Sequence, residues 1–360
     1  MSVIIDGTAG VTFNDASIQN TAATGFGFKN RIINGAMVID QRNNGASVTP
    51  ANGQYLVDRW FAGLTQASKY SVQRNAGSVT PPAGFTNYLG VTSLSAYSIT
   101  SGDTFFLDQR IEGLNCSDFA WGTASAVTVT LSFWVRSSLT GTFGGALGNS
   151  AGNRTYPFTY TISSANTWEQ KSVTVPGDTT GTWLTTADVG INVYFNLGSG
   201  STYSGTAGAW GASNVFSATG ATSVVGTNGA TLYITGVQLE KGSTATSFDY
   251  RPYGTELALC QRYFAALGAG APASIFSGTS ADAAIQFPVT MRATPSVAHL
   301  ANYSVVLVAT ASYTVTNTVI NASVSGTNTT GCVVRLTSSG MTAGNAWLTN
   351  GNNIGFSSEL

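Results

Sequence analysis

Apolar and polar residues alternate through most of this chain, which is the two-residue period of half-buried strands. The clearest run is AVTVTLSFWVRSS (126–138), which places Val127, Val129, Leu131, Phe133 and Val135 on one face. YLVDRWFAGL (55–64) and KYSVQR (69–74) predict two strands around a turn, and TFFLDQRIEGL (104–114) predicts another. RTYPFTYTIS (154–163), WEQKSVTVPG (168–177), GINVYFNLGSG (190–200) and ATLYITGVQLEKG (230–242) continue the series. Strands at this spacing fit a two-sheet β-sandwich of jelly-roll type. We place it at residues 29–253. Trp60, Trp134 and Trp168 fall inside the strand patterns, which predicts core positions for all three.

One segment breaks the period. In TELALCQRYFAAL (255–267), Leu257, Cys260, Gln261 and Phe264 recur at helical spacing, predicting the single helix of an otherwise all-β chain. Strand patterns resume at AAIQFPVTM (283–291), YSVVLVATASYTV (303–315), NTVINASVSG (317–326) and GCVVRLTSSG (331–340), so residues 254–360 read as a helix plus a small β tip domain. VVLVA is apolar on both faces, which predicts burial against symmetry mates in a homotrimer. Residues 1–28 are too short to fold alone. Asp6-Gly7 marks a turn between VII and GVTF, and VTFNDASIQNTAA alternates, as an attachment and trimerisation arm would.

Composition narrows the classes. Charged residues make up 9% of the chain, against about 25% in an ordinary soluble protein. Hydrophobic residues make up 43%, which excludes a disordered linker. The 42 glycines show no three-residue period, which excludes collagen. A net charge of −1 without a basic stripe gives nucleic acid no electrostatic footprint. No apolar run has membrane-spanning length, so no membrane insertion is expected, and MSVIIDGTAG lacks the features of a signal peptide. Three cysteines far apart (Cys116, Cys260, Cys332) match no disulfide framework or zinc site, and the chain is expected to fold in a cytoplasm.

NRIINGAMVIDQR (30–42), YLVDRWF (55–61), QRIEGL (109–114), VTLSFWVRS (129–137) and GVQLEKGSTATSFDYRP (236–252) with ELALCQRYF (256–264) resemble tail-fibre and receptor-binding proteins of tailed bacteriophages. VTFNDASIQNTAA resembles the short fibre motif that joins an N-terminal anchor to the body. The resemblance covers roughly residues 1 to 295. It implies a trimeric virion protein: an N-terminal segment held by other virion proteins, a carbohydrate-binding-module-like sandwich, and a distal β domain. The expected function is attachment to host surface polysaccharide. A head or tail fibre or adaptor without a receptor site is the alternative, and a capsule-degrading tailspike is a further one.

Catalysis finds little support. The lone histidine, His299, has no nucleophile elbow to serve, and it cannot by itself build a metal site. Carboxylates that could pair are Asp103 with Asp108 and Asp178 with Asp188, but VPGDTTGTW has turn composition, and the rung repeat of β-helical depolymerases is absent. No enzyme activity is expected. No cofactor is expected either; structural calcium is possible without a D-x-D-x-D-G loop to predict it. Asp58, Asp108 and Glu112 stand beside Arg59 and Arg110, predicting ion pairs that pin strands.

Sugar recognition needs aromatic faces with amides or carboxylates nearby. Tyr203 and Trp210 lie in the polar loop TYSGTAGAWGASN, and Trp347 and Asn350 in AGNAWLTNGNN, making these four the candidate glycan-binding residues. Glu240, Lys241, Asp249 and Arg251 crowd into GVQLEKGSTATSFDYRP. We read this cluster as a joint of partly buried ion pairs between sandwich, helix and symmetry mates.

Overall fold

A computed structural model of the chain describes three short strands near the N-terminus (Ile4–Asp6, Gly10–Thr12 and Ile18–Gln19) and residues 28–267 without a break. Beyond these it describes residues 272–277, 280–299, 304–307, 317–318, 321–325, 328–337, 344–349 and 354–360. Ile4–Asp6 pairs antiparallel with Gly10–Thr12, Asp6 opposite Gly10.

Alternation builds a two-sheet sandwich from eleven strands: β1 (Gln54–Tyr55), β2 (Trp60–Leu64), β3 (Tyr70–Arg74), β4 (Leu89–Ser93), β5 (Thr104–Glu112), β6 (Val129–Ser137), β7 (Gly141–Gly148), β8 (Thr155–Ile162), β9 (Glu169–Val175), β10 (Val189–Ser199) and β11 (Thr231–Lys241). One sheet has the order β8-β7-β10-β5-β2-β1 and the other β9-β6-β11-β4-β3. Phe105, Leu107 and Ile111 of β5 and Val193, Phe195 and Leu197 of β10 face Leu131, Phe133 and Val135 of β6 and Leu232, Ile234 and Leu239 of β11. Each of these is 2% exposed or less. Phe133 meets Phe195 edge-on across the sheets at 5.0 Å.

Three expectations need correction. YLVDRWFAGL is not one strand but a tight hairpin, with Tyr55 opposite Phe61 and Arg59 in the left-handed region at φ 70°. The turn carries Asp58 and Arg59 inward, so local alternation is broken there by charge burial. Second, β7 shows no apolar alternation, because glycine holds four of its eight positions, Gly141, Gly144, Gly145 and Gly148. A Cβ on Gly144 would lie 2.4 Å from the Ser217 hydroxyl, and one on Gly145 2.4 Å from the Phe158 ring, so close packing there excludes the side chains that mark a strand.

Third, the helix is shorter than its pattern. Helix α1 spans Tyr253–Gln261, after which Arg262 and Tyr263 turn onto the Glu112 carboxylate and Phe264–Leu267 become β12. This strand pairs with β14 (Ile354–Ser357), whose other neighbour is β13 (Ser296–His299). FAAL suits either structure, and the waiting partner strand decides. A second distal sheet orders 317–318, 304–307, 344–349, 272–277, 280–286, 331–337 and 321–325. Of the expected strand at 303–315, Ser304–Leu307 is described and the rest lies outside the described residues. Among the described residues no helix is long and apolar enough to cross a membrane.

The charged stretch after β11 does join parts of the molecule. The Asp249 carboxylate accepts the backbone N–H of Lys29 at 2.9 Å and of Asn30 at 3.2 Å. Arg251 pairs with Glu256 of α1 at 3.1 Å, and Glu256 accepts the N–H of Asn34. Arg262 pairs with Glu112 of β5. The expected pairs of neighbours are only partly right: Asp108 does take Arg110, at 3.4 Å, but Asp58 is held by Gln41 and Arg59 by Glu359. Arginine reaches too far for sequence adjacency to choose its partner.

Candidate functional site

The outer faces of the two sheets differ. Over the six-stranded sheet the chain itself forms a cover. Phe216 stacks on Phe106 at 4.6 Å and meets Tyr194 edge-on at 4.9 Å, while Tyr203 packs on Phe216 at 5.4 Å. A short parallel pair, Ser204–Gly205 with Ser217–Ala218, ties this flap together. At the other side Phe61 lies under the Arg110 guanidinium, 4.2 Å from it, and the Tyr55 hydroxyl donates to the Leu360 carbonyl at 3.0 Å. Asp108 is sealed beneath, one carboxylate oxygen without a partner. Burial pushes its pKa up to about 7, against the opposing pull of Arg110.

The outer face of the five-stranded sheet carries a row of polar groups instead. Register sets Gln170, Trp134 and Thr235 side by side across β9, β6 and β11. Ser172, Ser132 and Gln238 form the next row, and Thr174, Thr130 and Glu240 the one after. The segment after β11 folds back over this face. Glu240, buried at 2% exposure, accepts the Thr246 N–H at 2.8 Å and its hydroxyl at 2.6 Å, and the Asp249 N–H donates to Gln238 at 2.7 Å.

Between that segment and β9 runs a groove of about 430 Å³, lined by Gln170, Lys171, Ser172, Ala245, Thr246 and Ser247. Gln170 and Ser172 are exposed, and Trp134 is half-buried beside Gln170 on the same face. Among the described residues the Gln170 amide, the Ser172 hydroxyl and the Trp134 indole N–H have no hydrogen-bond partner.

Aromatic rings continue the face beyond the groove. Phe85 and Trp134 flank Gly236, whose φ of 60° and bare α-carbon let both rings close in. Phe85 is also 5.2 Å from Phe248 and 5.4 Å from Tyr250. Trp168 and Tyr233 both pack against Tyr88, at 5.4 and 5.1 Å. A half-buried indole beside free amides and hydroxyls can stack on the C–H face of a pyranose while the polar groups read its hydroxyls.

The four residues proposed from sequence do not converge here. Tyr203 belongs to the flap on the other sheet. Trp210 donates its indole N–H to the Pro176 carbonyl at 2.8 Å, and its ring packs against Trp121, Trp183 and Tyr156 within 5.3 Å, closing one end of the core. Trp347 lies in the strand Gly344–Thr349, opposite Pro272 and Val306, and Asn350 lies outside the described residues. Of the three tryptophans expected in the core only Trp60 is there; Trp134 and Trp168 face outward. The signal was present, because the alternation that buries Phe133 and Val135 must turn Trp134 the other way.

The carboxylates weighed for catalysis hold structure. Asp178 takes Arg154 through two bonds of 2.7 Å each, and Asp103 accepts Thr100, Tyr97 and Thr65.

No family model matches the sequence, and no curated protein matches it. Solved structures that it is similar to include the enzymatically active domain of bacteriophage CBA120 tailspike protein 4, at 14% identity over 54% of this chain, with a TM-score of 0.31. This chain covers 21% of that one. A family 4 carbohydrate-binding module is 14% identical over 58% of this chain and 98% of its own, with a TM-score of 0.31. A putative sugar-binding protein from Bacteroides thetaiotaomicron is 13% identical over 59% of this chain and all of its own, with a TM-score of 0.34. The functional reading therefore rests on this chain's own surfaces.

Proposed function

We propose that this chain is a fibre or receptor-binding protein of a tailed-bacteriophage virion, and that it attaches the particle to bacterial surface glycan through the groove on the five-stranded sheet. The observation that carries the reading is the groove's chemistry: an uncovered amide, hydroxyls and an adjacent indole on a rigid strand face. The sequence resemblance to phage fibres supports the virion context. In this reading residues 1–28 fasten the protein to other virion proteins, and three chains assemble. Three weak sites per trimer, repeated over a particle, give strong adhesion without covalent chemistry.

The protein binds without cleaving, in keeping with the structural engagement of Asp103 and Asp178. Retention of purified protein on host cells and on host polysaccharide tests the attachment function. Trp134→Ala and Gln170→Ala should each weaken binding at least about tenfold (~1.4 kcal/mol), Gln170→Ala with an unchanged melting temperature and Trp134→Ala with a lowered one, since its ring packs beside Gly236. Undiminished binding in both would remove the groove from the proposal, and Trp347→Ala would then test the tip. Light scattering should give the mass of three chains, and release of reducing sugar should stay at background.

A further inference from the structure

We infer that the glycan is anionic, and that Arg136 of β6 takes its carboxylate or phosphate beside the Trp134 ring. The inference rests on the glycan reading of the groove and adds the class of sugar. Side chains of a strand alternate, so Arg136 shares the outer face with Trp134 and lies about 7 Å further along it. Register sets it beside Tyr233 of β11, in the row next to Gln170, Trp134 and Thr235. One sugar, or two neighbours in a glycan chain, spans that distance.

The Arg136 guanidinium is held in place without being used up. Its Nε donates to the Asn166 carbonyl at 2.9 Å, and its central carbon lies 5.5 Å over the Tyr233 ring. Asn166 is itself fixed, in the left-handed region at φ 57°, by donating its N–H to the Ser137 carbonyl at 2.6 Å. Among the described residues the Nη atoms of Arg136 have no acceptor. Their hydrogens present a planar fork that matches a carboxylate or phosphate through two parallel bonds.

Arg136 stands apart within this protein. Charge is scarce, and every other arginine of residues 28–267 reaches a carboxylate. Glu169, the acid in register with the neighbouring Val135, lies on the core-facing side of β9 and is already engaged. Lys171 takes one of its carboxylate oxygens at 2.6 Å, and the N–H groups of Ser163 and Ser164 take the other at 2.9 Å each. Trp168 packs on the same Tyr233 ring as Arg136, at 6.5 Å, and both side chains are half-buried. The attraction of this guanidinium for an anion is therefore screened less than at an open surface. An acidic sugar stacked on Trp134 exchanges its hydration for the fork, whereas a neutral pyranose gains only the stacking and the hydrogen bonds of the groove.

The test uses the full chain on immobilised bacterial polysaccharides of matched length, one rich in uronate, one linked by phosphodiesters and one neutral, at low and high salt. At low salt the wild type should bind at least one anionic polymer at least about tenfold more tightly than the neutral one, and the better of the two identifies the group bound. High salt should erode that preference. Arg136→Gln should bring retention of the anionic polymer to the level of the neutral one. Arg136→Lys, which keeps the charge without the fork, should keep part of the preference. A wild type that holds the neutral polymer as tightly as the anionic ones would overturn the inference while leaving glycan binding intact. An anionic preference indifferent to salt would overturn it too, as would an Arg136→Gln variant that keeps the preference. Retention of none of the three polymers would sink the glycan reading, and this inference with it.

Discussion

The Arg59 guanidinium, 1% exposed, bonds the Glu359 carboxylate from 300 positions along the chain. Arg59 also lies 3.6 Å over the Tyr263 ring and donates to the Arg110 carbonyl, and Arg42 reaches the same carboxylate at 2.6 Å. Arg292 donates to the backbone carbonyls of Ser358 and Glu359, at 2.7 and 2.9 Å. The last described residues are thus bolted to the sandwich through buried charge.

Removing one partner of such a pair strands the other in a low-dielectric interior, which costs about 3–5 kcal/mol. Glu359→Ala should lower stability by that order in urea unfolding. The compound variant Arg59→Met/Glu359→Leu should recover much of the loss, since apolar packing can replace the pair. A double variant no better than the single one would show that charge matching is not what holds this joint.

Asp108 and Asp58 set a pH dependence of unusual sign. Burial pushes Asp108 to about 7 and Asp58 to about 6, each opposed by a nearby arginine. Both values lie above the ordinary carboxylate range, so the folded chain holds protons that the unfolded chain has released. Their contribution is most favourable below about pH 4 and is lost as pH rises through 6 and 7. Asp108→Asn should therefore raise the melting temperature at pH 8, by an amount corresponding to a few kcal/mol or less, and leave it nearly unchanged near pH 4. An equal effect at both pH values would disprove the assignment.

Glu240 should govern the groove wall rather than the sandwich. Hydrogen bonds to a buried carboxylate contribute about 1.5–3 kcal/mol each. Glu240→Leu should speed amide exchange at Thr246 and weaken glycan binding, while Glu240→Gln should keep part of both. Exchange at Thr246 unaltered in Glu240→Leu would show that the wall stands without it.

Gly63 marks where the six-stranded sheet accepts its cover. A Cβ there would lie 2.1 Å from the Phe106 ring, on which Phe216 stacks. Gly63→Ala should cost about 1–3 kcal/mol by overpacking and raise proteolysis within the flap 200–222. Unchanged stability would mean that the ring can shift freely.

Much of the architecture follows from local periodicity. Val129, Leu131, Phe133 and Val135 needed only their spacing to be assigned to a core face, because a strand's side chains alternate whatever lies beyond it. The same rule, carried one residue further, points Trp134 outward, so one member of the candidate site was readable before any fold was known. The glycine-rich β7 was not readable, since its signal is the absence of side chains that neighbours would displace. The end of α1 was equally hidden, for FAAL becomes a strand through its pairing with Ile354–Ser357.

Sequence by itself determined the all-β class, the inner faces of the long strands, the one helix, and the scarcity of charge that makes each ion pair informative. Tertiary structure alone decided which charges meet, which sheet face is covered by the flap, and where a groove stays open. The reason is one of range. A two-residue period is a property of the backbone at each position, whereas the contact of Arg59 with Glu359, or of Gln170 with Trp134, exists only after chain segments distant in sequence have been brought side by side.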